Sequence, residues 1–257
     1  MVILGCGYTG QRVAARFADR GVAVIATART PHGFAELAFS ASPEPDLSFI
    51  PQGAKVLWSI PTIEGVDCTP GMMAALAARK PRRVVYLSTT GVYGETHVVT
   101  AESAASHRRP QDHARIAMEN AVLRGPWSGI VLRPAAIYGP DRGIHVSMQL
   151  GKFRMGGDGG NYVSRIHVDD LAAHCEAALF SDITGAWPVA DEYPCTTREI
   201  AEYCSATFGV PMPPSVEAGT LHHTRQANRR VDGSAIRHSL GISLLFPTFR
   251  EGLWMPR

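Results

Sequence analysis

The chain has 257 residues, of which 45% are hydrophobic and 19% are charged, and its formal net charge is +2. This composition is typical of a soluble globular protein, and the small net charge gives no reason to expect binding to nucleic acid or to a membrane surface. The length allows one large α/β unit, or one domain with a small appendage.

The predicted elements begin as alternating strands and helices. A short apolar run at 2–4 leads through glycines into a helix at 10–21, and a β-rich run follows at 22–28. Thr69 is the predicted N-cap of a second helix, with Pro70 at its first position. The remaining predicted strands are 54–60, 83–89 and 129–135, and the remaining predicted helices are 69–80 and 112–124. This alternation predicts an α/β fold with a Rossmann-like, doubly wound parallel sheet.

The pattern becomes less regular after Gly139. Residues 140–162 are rich in glycine and predict a loop with a short helix, whereas 165–180 predict a strand followed by a helix. Thr196–Glu199 resembles a capping box at the start of another helix. Ser234 is the predicted cap of a last short helix that ends near Gly241.

We therefore predict one structural unit with two parts. Residues 1–140 form the dinucleotide-binding core, and 141–257 form a mixed region that completes the sheet and builds a small C-terminal substrate lobe. The five cysteines have no C-x-x-C spacing, which argues against a disulfide framework or a zinc ribbon, so we expect no metal site. A reducing, cytoplasmic location is expected, because no leader and no apolar run long enough to cross a bilayer is present.

The segment GCGYTG at 5–10 has the G-x-G-x-x-G pattern after a strand and at the start of a helix, the context in which it indicates dinucleotide binding. The glycines permit the tight turn, the close approach of a pyrophosphate and the packing of helix on strand, and the free N–H groups of the helix bind phosphate. The predicted cofactor-binding residues are Gly5, Gly7, Tyr8, Thr9, Gly10, Arg29, Thr30, Ser59, Ile60, Pro61 and Pro134.

The end of the second strand predicts the type of cofactor. NAD-binding sites place an acidic residue there for the ribose diol, but this strand ends in Thr27-Ala28-Arg29-Thr30, with no acidic residue before Glu36. Arg29 suits a 2′-phosphate, and Thr27 or Thr30 could add a hydroxyl. We therefore predict NADP(H) over NAD(H), the alternative being that Arg29 is a solvated loop residue.

With these motifs the chain resembles the short-chain dehydrogenase/reductase superfamily, in its extended or atypical branch of NAD(P)-dependent epimerases/dehydratases. The motifs as a set are specific for the fold and for no substrate. The segments that carry the resemblance are GCGYTG at 5–10, VVYLSTTGVYG at 84–94, VLRPAAIYGPDR at 131–142, RIHVDDLA at 165–172, NRRVDGSAIRHSLG at 228–241 and FPTFREGL at 246–253.

The resemblance implies that Thr89 holds the place of the Ser or Thr that hydrogen-bonds the reacting oxygen. Family members then use a Tyr and a Lys in a Y-x-x-x-K helix to pass the proton. Alignment on Glu119 places Gln111 at the Tyr position and Arg115 at the Lys position. Gln is no acid, and Arg supplies charge and ribose contacts without giving up its proton.

Other groups could replace the missing tyrosine. Tyr93 and Tyr138 end neighbouring motifs, although both are more often packing residues in such places, and His113 is more simply a surface histidine. Asp169 and Asp170 stand where a helix begins, so N-capping is the better interpretation of at least one of them. A further departure is Ala136, where sugar-nucleotide enzymes often carry an Asn, which puts a sugar-nucleotide substrate in doubt.

Two hypotheses remain open, and whether the chain is an enzyme stays open with them. In the first it is an NADP-dependent oxidoreductase or epimerase acting on a small molecule, with Thr89 orienting the carbonyl, Arg115 holding the nicotinamide ribose, and Tyr93 or water supplying the proton. In the second it is a catalytically silent NADP(H)-binding protein with a regulatory or redox-sensing role. Helices of this fold commonly pair in family members, so a homodimer is also open.

Overall fold

The computed structural model describes residues 1–62, 66–106 and 110–253, without the side chains of Pro110, Gln111 and His223. The strands are β1 Val2–Leu4, β2 Ile25–Ala28, β3 Leu37–Ala38, β4 Lys55–Trp58, β5 Arg83–Leu87, β6 Val98–Val99, β7 Ser128–Pro134, β8 Ala136–Tyr138, β9 Met155–Gly156, β10 Tyr162–Val163, β11 Arg165–His167, β12 Gly185–Val189, β13 Cys195–Thr196, β14 Ser215–Val216 and β15 Arg230–Val231. The helices are α1 Tyr8–Ala18, α2 Thr69–Ala78, α3 Pro110–Arg124, α4 Ile144–Gln149, α5 Val168–Phe180, α6 Thr197–Phe208, α7 Ser234–Ser239 and α8 Phe249–Gly252.

A seven-stranded sheet in the order β12-β7-β5-β4-β1-β2-β3 forms the centre of the molecule. All of its strand pairs are parallel. The strand order reverses between β1 and β4, which is the topological switch point where ligands bind in open α/β sheets. The predicted Rossmann-like α/β fold is confirmed.

Both faces of the sheet are covered, which explains why its strands are continuous apolar runs. Successive side chains of a strand point to opposite faces. Ile3 accordingly belongs to one buried cluster with Phe17 of α1 and Cys175 of α5. Val2 and Leu4 belong to the opposite cluster, which also contains side chains of α2 and α3.

Two predicted helix caps are wrong by one residue for the same reason. Thr69 and Ser234 are the first helical residues, and Cys68 and Gly233 occupy the N-cap positions. In each case an aspartate two residues earlier accepts the backbone N–H of that first residue, Asp67 at 2.9 Å and its counterpart Asp232 at 2.8 Å. The carboxylates satisfy the helix ends and displace the hydroxyl residues from the capping role.

The last third of the chain completes the sheet with β12 and builds a small lobe. Four two-stranded pairs hold the lobe and the loops below it together: β8 with β11, β9 with β14, β10 with β13, and β6 with β15. The apolar core of the lobe includes Phe153, Ile200 and Phe249. Across the described ranges, no helix combines the length and the apolar character that crossing a bilayer requires.

Candidate functional site

The glycine loop lies at the switch point of the sheet. Gly5 has a φ of +89°, and a Cβ built on it would lie 2.9 Å from the backbone nitrogen of Ile60. The Ser59 hydroxyl donates to the Gly5 carbonyl oxygen at 2.5 Å. A Cβ on Gly10 would lie 3.1 Å from the same oxygen. The ends of β1, β4 and α1 therefore meet too closely for side chains at these two glycines.

The first turn of α1 is open to an anion. Gly7 is its N-cap without a side-chain capping bond, the turn carries no acidic residue, and a Cβ on Gly7 would meet nothing within 4 Å. Thr9 is buried, whereas the Tyr8 hydroxyl donates to the Pro140 carbonyl oxygen at 2.5 Å. Free N–H groups beside an open space suit a pyrophosphate, so these residues fit a dinucleotide.

The residues after β2 differ in their access to a ligand. Arg29 and Thr30 are exposed, as a contact with a 2′-phosphate requires. Thr27 is fully buried, its hydroxyl donates to the Ile3 carbonyl oxygen at 3.4 Å, and it accepts from the Gly5 N–H at 3.3 Å. The suggestion that Thr27 contributes a hydroxyl to the cofactor is therefore wrong, because that hydroxyl holds β1 and β2 together.

Two adjoining cavities open above the ends of β5 and β7. One measures about 490 Å³, and the other, under the lobe, about 630 Å³. Thr89 lines both, as do Ala135 and Ala136, while Pro134 lines the larger one. The Thr89 hydroxyl oxygen accepts the Gly91 N–H at 3.1 Å, which leaves its own proton to donate. Thr89 is thus placed at the junction of the cleft, whereas Ile60 and Pro61 lie beside the glycine loop.

A buried group of polar side chains lies directly behind Thr89. Arg133 donates from two of its nitrogens to the Glu119 carboxylate, at 2.6 Å in the shortest contact, and Ser88 donates to the same carboxylate. Arg133 also donates to the Tyr93 hydroxyl at 3.2 Å. We call Ser88, Tyr93, Glu119 and Arg133 the ion-pair cluster. It ties α3 to the ends of β5 and β7.

The placement of Tyr93 contradicts its predicted access to the reaction. Its side chain is 0% exposed, it lines neither cavity, and its hydroxyl faces Arg133 within the ion-pair cluster. Burial also raises the pKa of Tyr93. A proton donor must reach the reacting atom, so Tyr93 is corrected here to a packing residue of the cluster.

Helix α3 carries the substituted proton-transfer positions. The side chain of Gln111 lies outside the described residues. Arg115 is half-buried one turn before Glu119. Burial raises the pKa of Tyr86 to about 12, and the Arg115 guanidinium acts on it in the opposite direction. His113 is exposed, as expected of a surface histidine. The catalytic roles of Gln111 and Arg115 stay predictions.

Tyr138 and the two aspartates have structural partners. Tyr138 lines the larger cavity with its ring, but its hydroxyl donates to the Thr248 carbonyl oxygen at 3.2 Å. His167, rather than either aspartate, is the N-cap of α5 and accepts the Asp169 N–H. Asp170 accepts two backbone N–H groups from 245–246, at 2.8 and 3.0 Å. The predicted aspartate cap is wrong because Asp170 anchors a distant loop instead.

Sequence reasoning missed the charged lining of the larger cavity. Its described lining residues include four arginines and neither an aspartate nor a glutamate. Arg142 is part of the motif YGPDR, but the other three stand in segments without a recognisable pattern. The four arginines are Arg142, Arg154, Arg165 and Arg225, and we call this space the arginine cavity.

The comparison with known proteins agrees with this architecture. The model of the NAD dependent epimerase/dehydratase family matches residues 64–185. The predicted resemblance is confirmed. A conserved protein of unknown function from Silicibacter pomeroyi has a similar structure, with a TM-score of 0.83 and 29% identity over 98% of this chain and 95% of that one.

Two further relatives of the epimerase/dehydratase type carry more specific names. A 3-diazoavenalumate denitrifying reductase from a Streptomyces species is 27% identical over 150 residues, which are 53% of this chain. The match spans 49% of that reductase, about half its length. MoeE5, solved with UDP-glucose and NAD, shares the fold at a TM-score of 0.81 and 18% identity, covering 98% of this chain and 95% of MoeE5. These matches support a nicotinamide-dependent oxidoreductase or epimerase.

Proposed function

We propose that the chain is an NADP(H)-dependent oxidoreductase or epimerase of the short-chain dehydrogenase/reductase type that acts on a small molecule in the cleft. The observation that carries the proposal is the position of Thr89, a hydroxyl with a proton to donate, at the junction of two cavities above the sheet. The open glycine loop lies on the same edge of the sheet. The reductase from Streptomyces supports a hydride transfer reaction.

In this proposal the chain binds, orients and polarises the substrate. A bound nicotinamide supplies or accepts the hydride. The Thr89 hydroxyl donates to the reacting oxygen, held in place by the Gly91 N–H. Arg115 contributes a fixed positive charge on α3. With Tyr93 withdrawn into the ion-pair cluster, water in the cleft delivers the proton, since both cavities are open to solvent-sized molecules.

The preference for NADP(H) rests on Arg29 and Thr30. Both are exposed just after β2, where an acidic residue would repel a 2′-phosphate. MoeE5, which is bound to NAD, shares only the fold with this chain, so the choice of cofactor has to come from this chain's own residues. The guanidinium of Arg29 suits a phosphate through paired hydrogen bonds.

A silent NADP(H)-binding protein is the second candidate function. The observation that favours it is the exchange of the Tyr and Lys positions for Gln111 and Arg115. Such a protein would bind the cofactor and use its occupancy to regulate a partner or to sense redox state.

Arg29→Ala tests the choice of cofactor. We expect it to weaken NADPH binding about tenfold or more, because charge-assisted bonds to the phosphate are lost, and to leave NADH binding unchanged. Fluorescence titration of both cofactors measures this. Arg124→Ala, which removes an exposed arginine at the end of α3, is the matched control. Equal losses for NADPH and NADH would remove the role of Arg29.

Thr89→Ala and Thr89→Ser test the reaction. In a panel of carbonyl compounds with NADPH consumption as the signal, we expect Thr89→Ala to lower kcat/KM about a hundredfold and Thr89→Ser to retain most of it. Tyr93→Phe should leave turnover nearly unchanged, because its hydroxyl faces Arg133. NADPH binding without turnover of any compound in wild type would favour the silent protein.

A further inference from the structure

The arginine cavity holds positive charge that the protein does not neutralise. Within the described ranges, no carboxylate oxygen lies within the 4.0 Å of an ion pair from Arg142, Arg154, Arg165 or Arg225. Other arginines of the lobe and core do have such partners, for example Arg250 with its carboxylate at 2.8 Å. The lack of counter-charge is therefore a property of this cavity.

The guanidinium groups also keep unused donors. Arg165 is 6% exposed, and one of its terminal nitrogens donates to the Val163 carbonyl oxygen at 2.8 Å and to the Cys195 thiol at 3.0 Å. Arg154 likewise uses one terminal nitrogen, on two backbone carbonyls, and Arg225 donates from one nitrogen to a carbonyl at 3.1 Å. A guanidinium has five N–H donors, so each side chain can still bind a ligand.

The surroundings of Arg225 favour a bound anion. Its guanidinium lies over the Phe153 ring, 4.2 Å from the centroid. Burial lowers the pKa of Arg225, which shows that its charge is costly where it lies. A cation removed from water is stabilised when an anion joins it, so a ligand with negative charge would offset this cost.

The rest of the arginine cavity is apolar. Its walls are formed by aliphatic and aromatic side chains from five separate segments of the chain. They are Ile137, Ile144, Phe153, Ile200, Leu221 and Leu253. A ligand that fits must therefore pair a charged group with an apolar body.

The cavity also leads to the proposed reaction centre. Thr89 and Pro134 belong to its lining, together with Arg142, whose guanidinium lies 5.4 Å from the ring of Tyr8 in the glycine loop. A ligand anchored on the arginines can thus reach the Thr89 hydroxyl. We propose that the substrate carries a carboxylate or phosphate group on an apolar body and is held by the arginine cavity; this inference rests on the proposed function.

The chemistry of the cavity argues for a simple organic anion over a sugar nucleotide. The cleft side of β8 carries Ala136, an exposed methyl group, where an amide would otherwise face a sugar. The apolar walls offer little to the hydroxyls of a sugar. UDP-glucose is therefore the competing probe, and MoeE5 provides a fold-matched protein that binds it.

The test is calorimetric titration of the full chain with 4-phenylbutyrate, phenyl phosphate and the neutral 4-phenylbutanamide, with and without NADPH. We expect both anions to bind at least tenfold more tightly than the amide, and the better anion identifies the natural group. Arg225→Gln should weaken the anions about tenfold or more, and Arg154→Gln should weaken them to a similar extent. NADPH affinity should be unchanged in both variants.

Arg198→Gln is the matched control, because Arg198 is an exposed arginine of the same lobe with a glutamate partner. Equal binding of anion and amide, no binding of either anion, or an unchanged Arg225→Gln variant would overturn the inference. Tighter binding of UDP-glucose than of both anions would overturn it as well. If wild type binds the anions but not NADPH, the proposed function fails while the anion site stands.

Discussion

Two clusters beside Thr89 both bury an arginine, but only one of them also buries a carboxylate. In the ion-pair cluster, Arg133 is 7% exposed and meets Glu119 in several short contacts. In the arginine cavity, Arg165 is 6% exposed and meets only a carbonyl and a thiol. The difference teaches that a buried guanidinium with a carboxylate fixes helix against sheet, whereas one without it is left to bind a ligand.

The largest effect should come from making the same substitution in both clusters. Arg133→Met leaves Glu119 buried without its partner, so we expect a loss of about 3–5 kcal/mol in the free energy of unfolding. Arg165→Met leaves no ion-paired carboxylate behind and should cost about 1 kcal/mol. Urea unfolding at pH 7.5, followed by circular dichroism, measures both.

Arg198→Met provides the baseline for this pair, since its ion pair with Glu202 is exposed and should contribute under about 1 kcal/mol. Similar losses in Arg133→Met and Arg165→Met would show that the two clusters do not differ in the way described.

The second test asks whether the sheet core tolerates a charge that no group neutralises. His174 in α5 is fully buried, its Nδ1 pairs with the Asp170 carbonyl oxygen at 2.7 Å, and its Nε2 has no partner within the described chain. Burial lowers the pKa of His174 to about 4. The unfolded chain therefore binds a proton that the folded protein excludes as the pH falls below about 6.5.

The stability that neutral His174 contributes is complete above that pH and is lost as the pH falls towards 4, by about 3 kcal/mol at most. Between pH 7.5 and 4.5, the unfolding free energy of wild type should therefore fall relative to that of His174→Gln. The exposed His238→Gln variant should follow wild type. Parallel curves for wild type and His174→Gln would mean that the buried imidazole takes up its proton without cost.

The smallest effect concerns Asp191, a buried carboxyl whose charge acts on Arg165. Burial raises the pKa of Asp191 to about 7, and Arg165 acts to lower it. As the pH rises through 7 the carboxyl ionises and offsets part of the charge of the arginine cavity. Binding of 4-phenylbutyrate should weaken about threefold between pH 6 and 8.5, as expected for a partly screened charge.

Asp191→Asn should flatten this pH dependence and leave affinity at pH 6 unchanged, since wild type is mostly protonated there. Calorimetry at four pH values suffices. A wild-type affinity that does not change with pH would separate Asp191 from the cavity and restrict the comparison to Arg133 and Arg165.

Much of the fold was predictable because local pattern and tertiary structure agree. The β1 and β4 runs, the helix after Gly7 and the parallel order follow from apolar periodicity and glycine spacing, which act over a few residues. The errors arose where a distant group took a local role. Thr196 caps α6 as predicted, but Glu199, the other half of that box, binds Tyr193 and Arg250 instead.

The sequence by itself determined the glycine cradle, the place of Thr89 at the end of a strand, and the loss of the Tyr and Lys positions. Only the tertiary structure decided that Tyr93 turns towards Arg133, and that arginines from separate segments converge on one cavity without a carboxylate. The physical reason is range. Backbone turns and helix starts are set by neighbours in the chain, whereas the neutralisation of a buried charge depends on which distant side chains the fold brings within a few ångströms.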